Sequence, residues 1–289
     1  MKFKFLFSLF LILFLVSLPS CSETSTKNDL PEGDSDTISL PKIVAIGDIH
    51  GDIGALRDIL QETGLISKKD HWKGGKTILV QTGDLLDRKD DEIEIIAFFE
   101  NLKIEAKAEG GQVITLLGNH EVYAVTGDFS STSEKAIISY EEKLNITREA
   151  AYAPGGIYAL KLADFPVVLN ISGNIFLHGG VLPEHVGMGF DIINDKFSNW
   201  LKGTEKKPSE TLMETVLTRV YSENLDCKLL ETTLNLLNAK RMIVGHTVQS
   251  KIKSECGDKL FLIDTGMSSY FDGPKQALVI ESGKTYIIE

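Results

Sequence analysis

The sequence of 289 residues lacks any cluster of basic side chains. Its 30 Lys and Arg are outnumbered by 41 Asp and Glu, which gives a net charge of −11, and basic runs stop at short pairs such as Lys68-Lys69. A protein that binds nucleic acid needs a positive surface to neutralise phosphates. We therefore exclude DNA and RNA as main partners.

Cysteine is also scarce. The chain has three cysteines, and Cys21 lies near the N-terminus, so only Cys227 and Cys256 remain in the rest of the chain. These two can form at most one disulfide, and in an oxidising compartment they could pair. Two free buried thiols are equally compatible with the sequence.

Long apolar runs are missing except at residues 5–18. Lys2 and Lys4 precede this run and Pro19-Ser20-Cys21 follows it, which is the pattern of an export signal over residues 1–20. The run is shorter than the roughly 20 residues that a spanning helix needs. LPSC is similar to a bacterial lipobox, which implies a lipid on Cys21. The alternative is an ordinary secretory signal with a chance cysteine.

Residues 22–41 contain few large apolar side chains and are rich in Ser, Thr and Asp. Such a segment cannot bury enough surface to order itself. We predict a lipidated Cys21 with a flexible tether over 21–41, followed by a folded domain over 42–289. The protein would then be an exported lipoprotein of the bacterial cell envelope, periplasmic or on the outer membrane.

The folded part alternates β-branched runs with helical patterns. IVAI (43–46), KTILVQT (76–82) and QVITLL (112–117) are predicted strands, and amphipathic stretches follow the first two. This rhythm predicts an α/β domain. Residues 123–164 break the rhythm, and we interpret them as an inserted cap. The final runs QALVIES and TYIIE predict an antiparallel hairpin, which suggests a second sheet packed on the first.

Ligand-type side chains follow the predicted strands beside glycines. Asp48 and His50 stand two residues apart after the first strand, and four of the six histidines occupy such Gly-flanked positions. Loops at the carboxyl ends of parallel strands converge on one place. The two remaining histidines, His71 and His185, lack this context, and we predict that they are structural or solvated.

Five motifs carry a family resemblance: GDIHG, GDLLDR, GNHE, HGG and GHT, in this order. They resemble the calcineurin-like metallophosphoesterases, and GDLLDR with GNHE resembles the phosphoprotein phosphatase branch. VGHTVQ and FLIDTGMSSYFDG are similar to the bacterial Shewanella-like phosphatases. The resemblance runs from about residue 43 to the end. It implies an αββα sandwich of two mixed β-sheets flanked by helices, with a small inserted cap.

The resemblance also implies a hydrolase site with two divalent ions, for which Mn, Fe and Zn fit the ligand types. One ion would be held by Asp48, His50 and Asp84, and the other by Asp84, Asn119, His178 and His246. The implied general acid is His120, oriented by Asp87. Arg88 would bind the phosphate, together with a second arginine for which Arg219 is the better candidate and Arg241 the weaker.

Two departures from related families matter. Val248 stands where wider metallophosphoesterases carry the second histidine of GHxH, so that ligand is absent, and IDTGMSS replaces the SAPNY-type motif of eukaryotic enzymes. The implied reaction is hydrolysis of phosphomonoesters, with a phosphoprotein as a possible partner. Phosphotyrosine is preferred by several Shewanella-like members.

Two alternatives stay open at this point. Bacterial diadenosine tetraphosphatases share several of the motifs, and they need an adenine-stacking surface, for which Tyr123, Tyr152 and Tyr158 are candidates. The other alternative is a metal-binding envelope lipoprotein without catalytic activity. Turnover of a chromogenic phosphate ester would separate these interpretations.

Overall fold

A computed structural model describes residues 41–289 of the chain. The predicted signal peptide, the lipidated Cys21 and the tether up to residue 40 lie outside the described residues. Within residues 41–289, no helix has both the length and the apolar character needed to cross a membrane.

The first sheet has five strands in the order β10-β9-β1-β2-β3. β1 (Ile43–Ile46), β2 (Ile78–Gln81) and β3 (Gln112–Thr115) are parallel. β9 (Ala277–Glu281) and β10 (Lys284–Ile288) form the predicted antiparallel hairpin. The suggestion that this hairpin builds a second sheet is wrong, because β9 pairs antiparallel with β1 and so extends the first sheet.

The second sheet is built from the middle of the chain, in the order β4-β5-β6-β8-β7. Its strands are β4 (Val168–Ile171), β5 (Asn174–Leu177), β6 (Arg241–Val244), β7 (Lys253–Glu255) and β8 (Leu260–Leu262). β5, β6 and β8 are parallel, while β4 and β7 are antiparallel edge strands. Both sheets are therefore mixed, which confirms the predicted fold class.

Alternate strand residues divide the core into layers, since side chains along a strand point to opposite faces. Ile43 and Ala45 share a buried cluster with Phe176 and Phe261 of the other sheet, so one layer lies between the sheets. Val44 belongs to the larger cluster that includes helix residues. The two sheets therefore pack face to face, with helices on their outer faces.

Eleven helices are present among residues 41–289. Three follow the strands of the first sheet: α1 (Ile53–Glu62), α2 (Glu92–Ala108) and α3 (Asn119–Thr126). Three lie in the predicted cap: α4 (Glu134–Leu144), α5 (Arg148–Tyr152) and α6 (Ile157–Leu162). The others join β5 to β6: α7 (Pro183–Val186), α8 (Phe190–Leu201), α9 (Glu210–Leu217), α10 (Val220–Glu223) and α11 (Cys227–Leu236).

The two cysteines of the described chain form a disulfide. Cys227 begins α11 and Cys256 lies in the turn between β7 and β8, with their Cα atoms 5.5 Å apart. The bond fastens a helix of the β5–β6 connection to the far edge of the second sheet. This result decides between the two states that the sequence left open.

Candidate metal centre

The predicted ligands meet at the carboxyl ends of the strands. The loops after β1, β2 and β3 and those after β5 and β6 supply them, and the structure brings together all six: Asp48, His50, Asp84, Asn119, His178 and His246. Every one of the six is buried. The site therefore joins both sheets at one end of the sandwich.

Asp84 lies at the centre of this site. Its Oδ2 is 3.2 Å from His178 Nε2 and 3.8 Å from His50 Nε2, and His178 Nε2 is 3.1 Å from His246 Nδ1. Ligands of one divalent ion lie roughly 3–4 Å apart, since each metal–ligand bond is about 2.0–2.2 Å long. These distances suit ligands that share ions, with Asp84 between the two groups.

The histidine rings have their tautomers set by backbone carbonyls. Each ring has one nitrogen within hydrogen-bond distance of a backbone carbonyl, and a neutral ring that donates from that nitrogen directs the lone pair of its other nitrogen away from the carbonyl. The pairs are His50 Nδ1 with Leu86 O at 3.1 Å, His178 Nδ1 with Thr82 O at 2.9 Å and His246 Nε2 with Leu217 O at 3.0 Å. The free nitrogens are therefore those that face the site.

Asp48 and Asn119 complete the set from opposite sides. The Asp48 carboxylate accepts the backbone N–H of His246 at 3.2 Å, and its Oδ2 is 3.9 Å from His50 Nε2. Asn119 Oδ1 is 2.8 Å from His178 Nε2. Oxygen ligands of this kind favour hard to borderline divalent ions.

Buried carboxylates make the site fit a cation. Burial and the neighbouring charges of Asp264 and Asp84 raise the pKa of Asp48, and burial raises that of Asp264 to about 6 and that of Glu121 to about 7. Among residues 41–289, Asp264 Oδ2 is buried without a hydrogen-bond partner. Several buried anions in one place are costly unless a cation offsets them.

Two of the histidines are held neutral. Burial, with repulsion from His120, lowers the pKa of His50 to about 4 against the opposing charge of Asp84. Burial, with repulsion from His178 and Arg219, lowers the pKa of His246 to about 3. Neutral imidazole is the form that binds a metal, so both rings are ready to bind one at neutral pH.

Five residues in the loops of the site have an unusual backbone conformation. His50, Asp84, Asp87, Arg88 and His246 have φ between 49° and 71°, the left-handed region that side chains rarely adopt. Such strain persists where the surroundings fix the backbone, and it concentrates at functional sites. Here the strain directs ligand side chains inward from short loops.

Glu121, the last residue of GNHE, fixes the two central loops. Its carboxylate accepts the N–H of Asp84 at 2.9 Å, of Leu85 at 2.8 Å and of Gly118 at 2.8 Å. It thereby ties the loop after β2 to the loop after β3. Glu121 belongs to the GNHE motif, but no role for it is predicted from the sequence.

His120 and Asp87 form a close pair. His120 Nδ1 is 2.6 Å from Asp87 Oδ2, and His120 Nε2 is 3.8 Å from Asp84 Oδ2. Burial opposes the charged imidazolium, but the carboxylates of Asp84 and Asp87 raise the pKa of His120 above its ordinary value. These carboxylates therefore favour the protonated ring, whose Nε2 faces the metal ligands.

The three arginine candidates differ in their surroundings and in their distance from the site. Arg88 has a buried Nε without a hydrogen-bond partner within residues 41–289, and its guanidinium lies 5.4 Å from the Tyr270 ring. Arg219 donates from Nη1 to His246 O and Thr247 Oγ1, both at 2.8 Å. Arg241 begins β6, at the opposite end of the strand from His246, which agrees with its ranking as the weaker candidate.

Two buried charged residues near the site are not predicted from the sequence. Asp264, after β8, stands next to Asp48, and Arg148, on α5, donates to Asp87 Oδ1 at 3.0 Å. Asp264 follows an apolar run and precedes Thr265-Gly266, so the strand-end pattern that found the other carboxylates could have found it. Arg148 lies in no motif, and only the fold shows it.

The other aromatic and histidine predictions have clear outcomes. Tyr152 and Tyr158 are core residues packed against Tyr140, so they cannot stack on a nucleotide. Tyr123 is half-buried, with its ring 5.5 Å from that of His120. The two unassigned histidines are structural or solvated as predicted, because His185 bonds backbone groups and His71 is exposed and paired with Glu105.

Comparisons with known proteins agree with this site. Residues 41–250 match the family described as calcineurin-like phosphoesterase. The chain is 33% identical to Shewanella-like protein phosphatase 2 of Arabidopsis thaliana, over 78% of this chain and 71% of that protein. It is 34% identical to Shewanella-like protein phosphatase 1 of Plasmodium berghei, over 79% of this chain and 68% of that protein.

A solved structure shares the fold. The cold-active protein-tyrosine phosphatase of a psychrophilic Shewanella species superposes with a TM-score of 0.75 and 24% identity, and the match covers 86% of this chain and 81% of that one. At that identity the likeness shows the fold alone.

Proposed function

Because the chain belongs to the calcineurin-like phosphoesterase family, we propose that it is a protein phosphatase that uses two divalent ions. The observation that carries the proposal is the convergence of free histidine nitrogens on Asp84 Oδ2, beside the His120–Asp87 pair. One set of groups would hold the ions, and the other would supply a proton.

The candidate ligands form two groups that share Asp84. Asp84, His178 and His246 form one compact group, to which Asn119 adds its amide oxygen, and Asp84, His50 and His120 form the other. We assign His120 to proton donation and give the third protein ligand of the second ion to Asp48, whose Oδ2 is 3.9 Å from His50 Nε2. Two bound ions would supply a nucleophilic hydroxide near neutral pH and offset the charge of the phosphate. Their identity, Mn, Fe or Zn, is part of the proposal.

His120 serves as general acid. Asp87 holds its Nδ1, so the proton that can be donated is on Nε2, which faces the ligand cluster. Donation to the leaving oxygen as the P–O bond breaks prevents a strongly basic alkoxide or phenoxide from forming. The carboxylates of Asp84 and Asp87 raise the pKa of His120, which favours the protonated form that a general acid needs.

Arg88 and Arg219 bind the phosphate oxygens. Arg88 offers a buried donor without a partner among residues 41–289. Arg219 stands at the mouth of the site beside Thr247, with its side chain about two-fifths exposed. A guanidinium fork matches phosphate geometry and stabilises the charge that develops in the transition state.

An open cavity lies beside the candidate site. A cavity of about 770 Å³ lies between α3 and α9, and Tyr123 and Leu217 line it. Tyr123 contacts His120, and Leu217 O is hydrogen-bonded to His246, so the cavity adjoins the site. Together with the names of the relatives, this supports a phosphoprotein substrate, with phosphotyrosine as the proposed preference.

Hydrolysis assays test this proposal. The purified chain is stripped of metal and assayed with and without Mn²⁺ on para-nitrophenyl phosphate, a phosphotyrosine peptide, a phosphoserine peptide and diadenosine tetraphosphate. We expect metal-dependent turnover with the phosphotyrosine peptide ahead of the phosphoserine peptide. Activity on the dinucleotide alone would move the assignment to nucleotide hydrolysis, and metal uptake without any turnover would indicate a binding protein.

A lipid anchor at Cys21 is a separate proposal, supported by the LPSC sequence after the apolar run. It places the enzyme in the bacterial cell envelope. Metabolic labelling with a radioactive fatty acid tests it: the wild-type chain should carry label and Cys21→Ser should not. An unlabelled wild-type chain that is still exported would indicate an ordinary secretory signal.

A further inference from the structure

Arg148 is a charged side chain with 1% of its surface exposed. It lies on α5, in the predicted cap, more than fifty residues along the chain from Asp87 and Glu92, which it contacts. Burying a guanidinium is costly unless it is fully paired, and a buried ion pair is weak evidence for a gain in stability. A gain in stability therefore does not by itself explain why Arg148 is buried.

The guanidinium is held rigidly by Glu92. Arg148 Nε donates to Glu92 Oε2 at 2.8 Å, and Nη2 donates to Glu92 Oε1 at 2.9 Å. The rings of Phe129 and Tyr152 lie 4.8 and 5.0 Å from the guanidinium carbon. A two-point contact with a carboxylate fixes both the position and the plane of an arginine.

The fixed guanidinium in turn holds Asp87. Nη2 also donates to Asp87 Oδ1 at 3.0 Å, and Thr132 Oγ1 donates to the same oxygen at 2.5 Å. The other oxygen, Oδ2, is 2.6 Å from His120 Nδ1. The carboxylate therefore has one oxygen tied to the cap segment and the other presented to the imidazole.

We propose that Arg148 is a positioning residue, which fixes the Asp87 carboxylate so that His120 points its Nε2 at the leaving oxygen. The inference rests on the proposed function. It makes the cap a working part of the proton-donating pair, because both donors to Asp87 Oδ1 come from residues 123–164. Partners of this outer kind are worth about 10- to 100-fold in activity.

The test compares two esters. Para-nitrophenolate leaves readily without a proton, whereas phenolate depends more on the general acid. We expect Arg148→Gln to lower kcat about 10-fold on para-nitrophenyl phosphate and about 100-fold on phenyl phosphate, with KM within about twofold. In an Asp87→Asn background the same substitution should cost less than about twofold, since its target is gone.

Two further variants guard against a folding defect. Thr132→Val removes the other donor to Asp87 Oδ1 from a half-buried position, and it should lower kcat with the same ordering of the esters. Tyr140→Phe is the matched control, because it removes a buried hydroxyl that donates to Glu92 Oε2 at 3.1 Å and bonds the Tyr152 hydroxyl at 2.7 Å, and it leaves the Arg148–Asp87 bond in place. We expect it to change both esters equally, by less than about twofold.

The outcomes distinguish failure of the proposed function from failure of the positioning role of Arg148. A wild-type chain that hydrolyses neither ester with any metal overturns the proposed function. A wild-type chain that hydrolyses both, while Arg148→Gln and Thr132→Val lower both rates by one equal factor or not at all, overturns this inference alone. If Arg148→Gln fails to fold, Thr132→Val decides by the same criterion.

Discussion

Replacing His120 by Asn separates proton donation from metal binding. The backbone N–H of His120 donates to Asp84 Oδ1 at 2.9 Å, and Asn retains it. The side chain of Asn is too short to place a donor where Nε2 stands, 3.8 Å from Asp84 Oδ2. The variant therefore loses the acid and leaves the proposed ligands in place.

The expected loss of kcat follows from the role of His120 as general acid. General acid catalysis by a positioned side chain contributes about 10²- to 10⁴-fold, which corresponds to about 2.7–5.5 kcal/mol of transition-state stabilisation. We expect kcat for phenyl phosphate to fall by that factor while KM changes by less than about threefold. Steady-state kinetics beside elemental analysis of the same sample measures both effects.

Two results would refute this reasoning. His120 stands as close to Asp84 Oδ2 as His50 does, so the geometry also permits it to bind a metal. Loss of metal in step with loss of rate would make His120 a ligand. Near-wild-type activity with full metal content would remove the general acid from the mechanism.

Three more predictions concern the shared ligand Asp84, the close approach of Gly118 to it, and the disulfide. Asp84→Asn should abolish detectable turnover and weaken both ions, because its Oδ2 lies between the two ligand groups; elemental analysis after dialysis checks this, and two ions retained would contradict it. Gly118→Ala should lower both metal content and kcat at least about 10-fold, because the added Cβ would collide with the Asp84 carboxylate. The control is Gly187→Ala, where the added Cβ meets open space. Equal effects of the two substitutions would count against this explanation. Cys227→Ser with Cys256→Ser should lower the free energy of unfolding by roughly 3–4 kcal/mol for the 29-residue separation, measured by urea denaturation; an unchanged midpoint would show that the bond does not constrain the unfolded chain.

The candidate metal ligands are easier to predict from the sequence than the strand pairing and the cap contacts around them. Ligands such as Asp84 and His178 follow apolar runs beside glycines, and the carboxyl ends of parallel strands bring such residues together wherever the strands run in the sheet. Convergence of the strand ends was therefore foreseeable without the strand order. Asp264 fits the same pattern, because it directly follows the apolar run LFLI that contains β8.

Strand partners and cap contacts could not be read in this way. The hairpin of β9 and β10 was foreseen, but its pairing with β1 depends on long-range packing, which local alternation does not encode. Arg148 sits on a five-residue helix with no motif, and its partners Asp87 and Glu92 lie 61 and 56 residues away. The disulfide likewise needed the observed approach of α11 to the β7–β8 turn.

Metal dependence is the most direct test of the central claim. The measurement is a titration of the metal-stripped chain with Mn²⁺, in which bound metal and the rate of para-nitrophenyl phosphate hydrolysis are followed together. We predict no turnover without metal and full activity as two ions bind per chain. Hydrolysis that persists in the stripped chain, or two bound ions with no hydrolysis, would contradict the account.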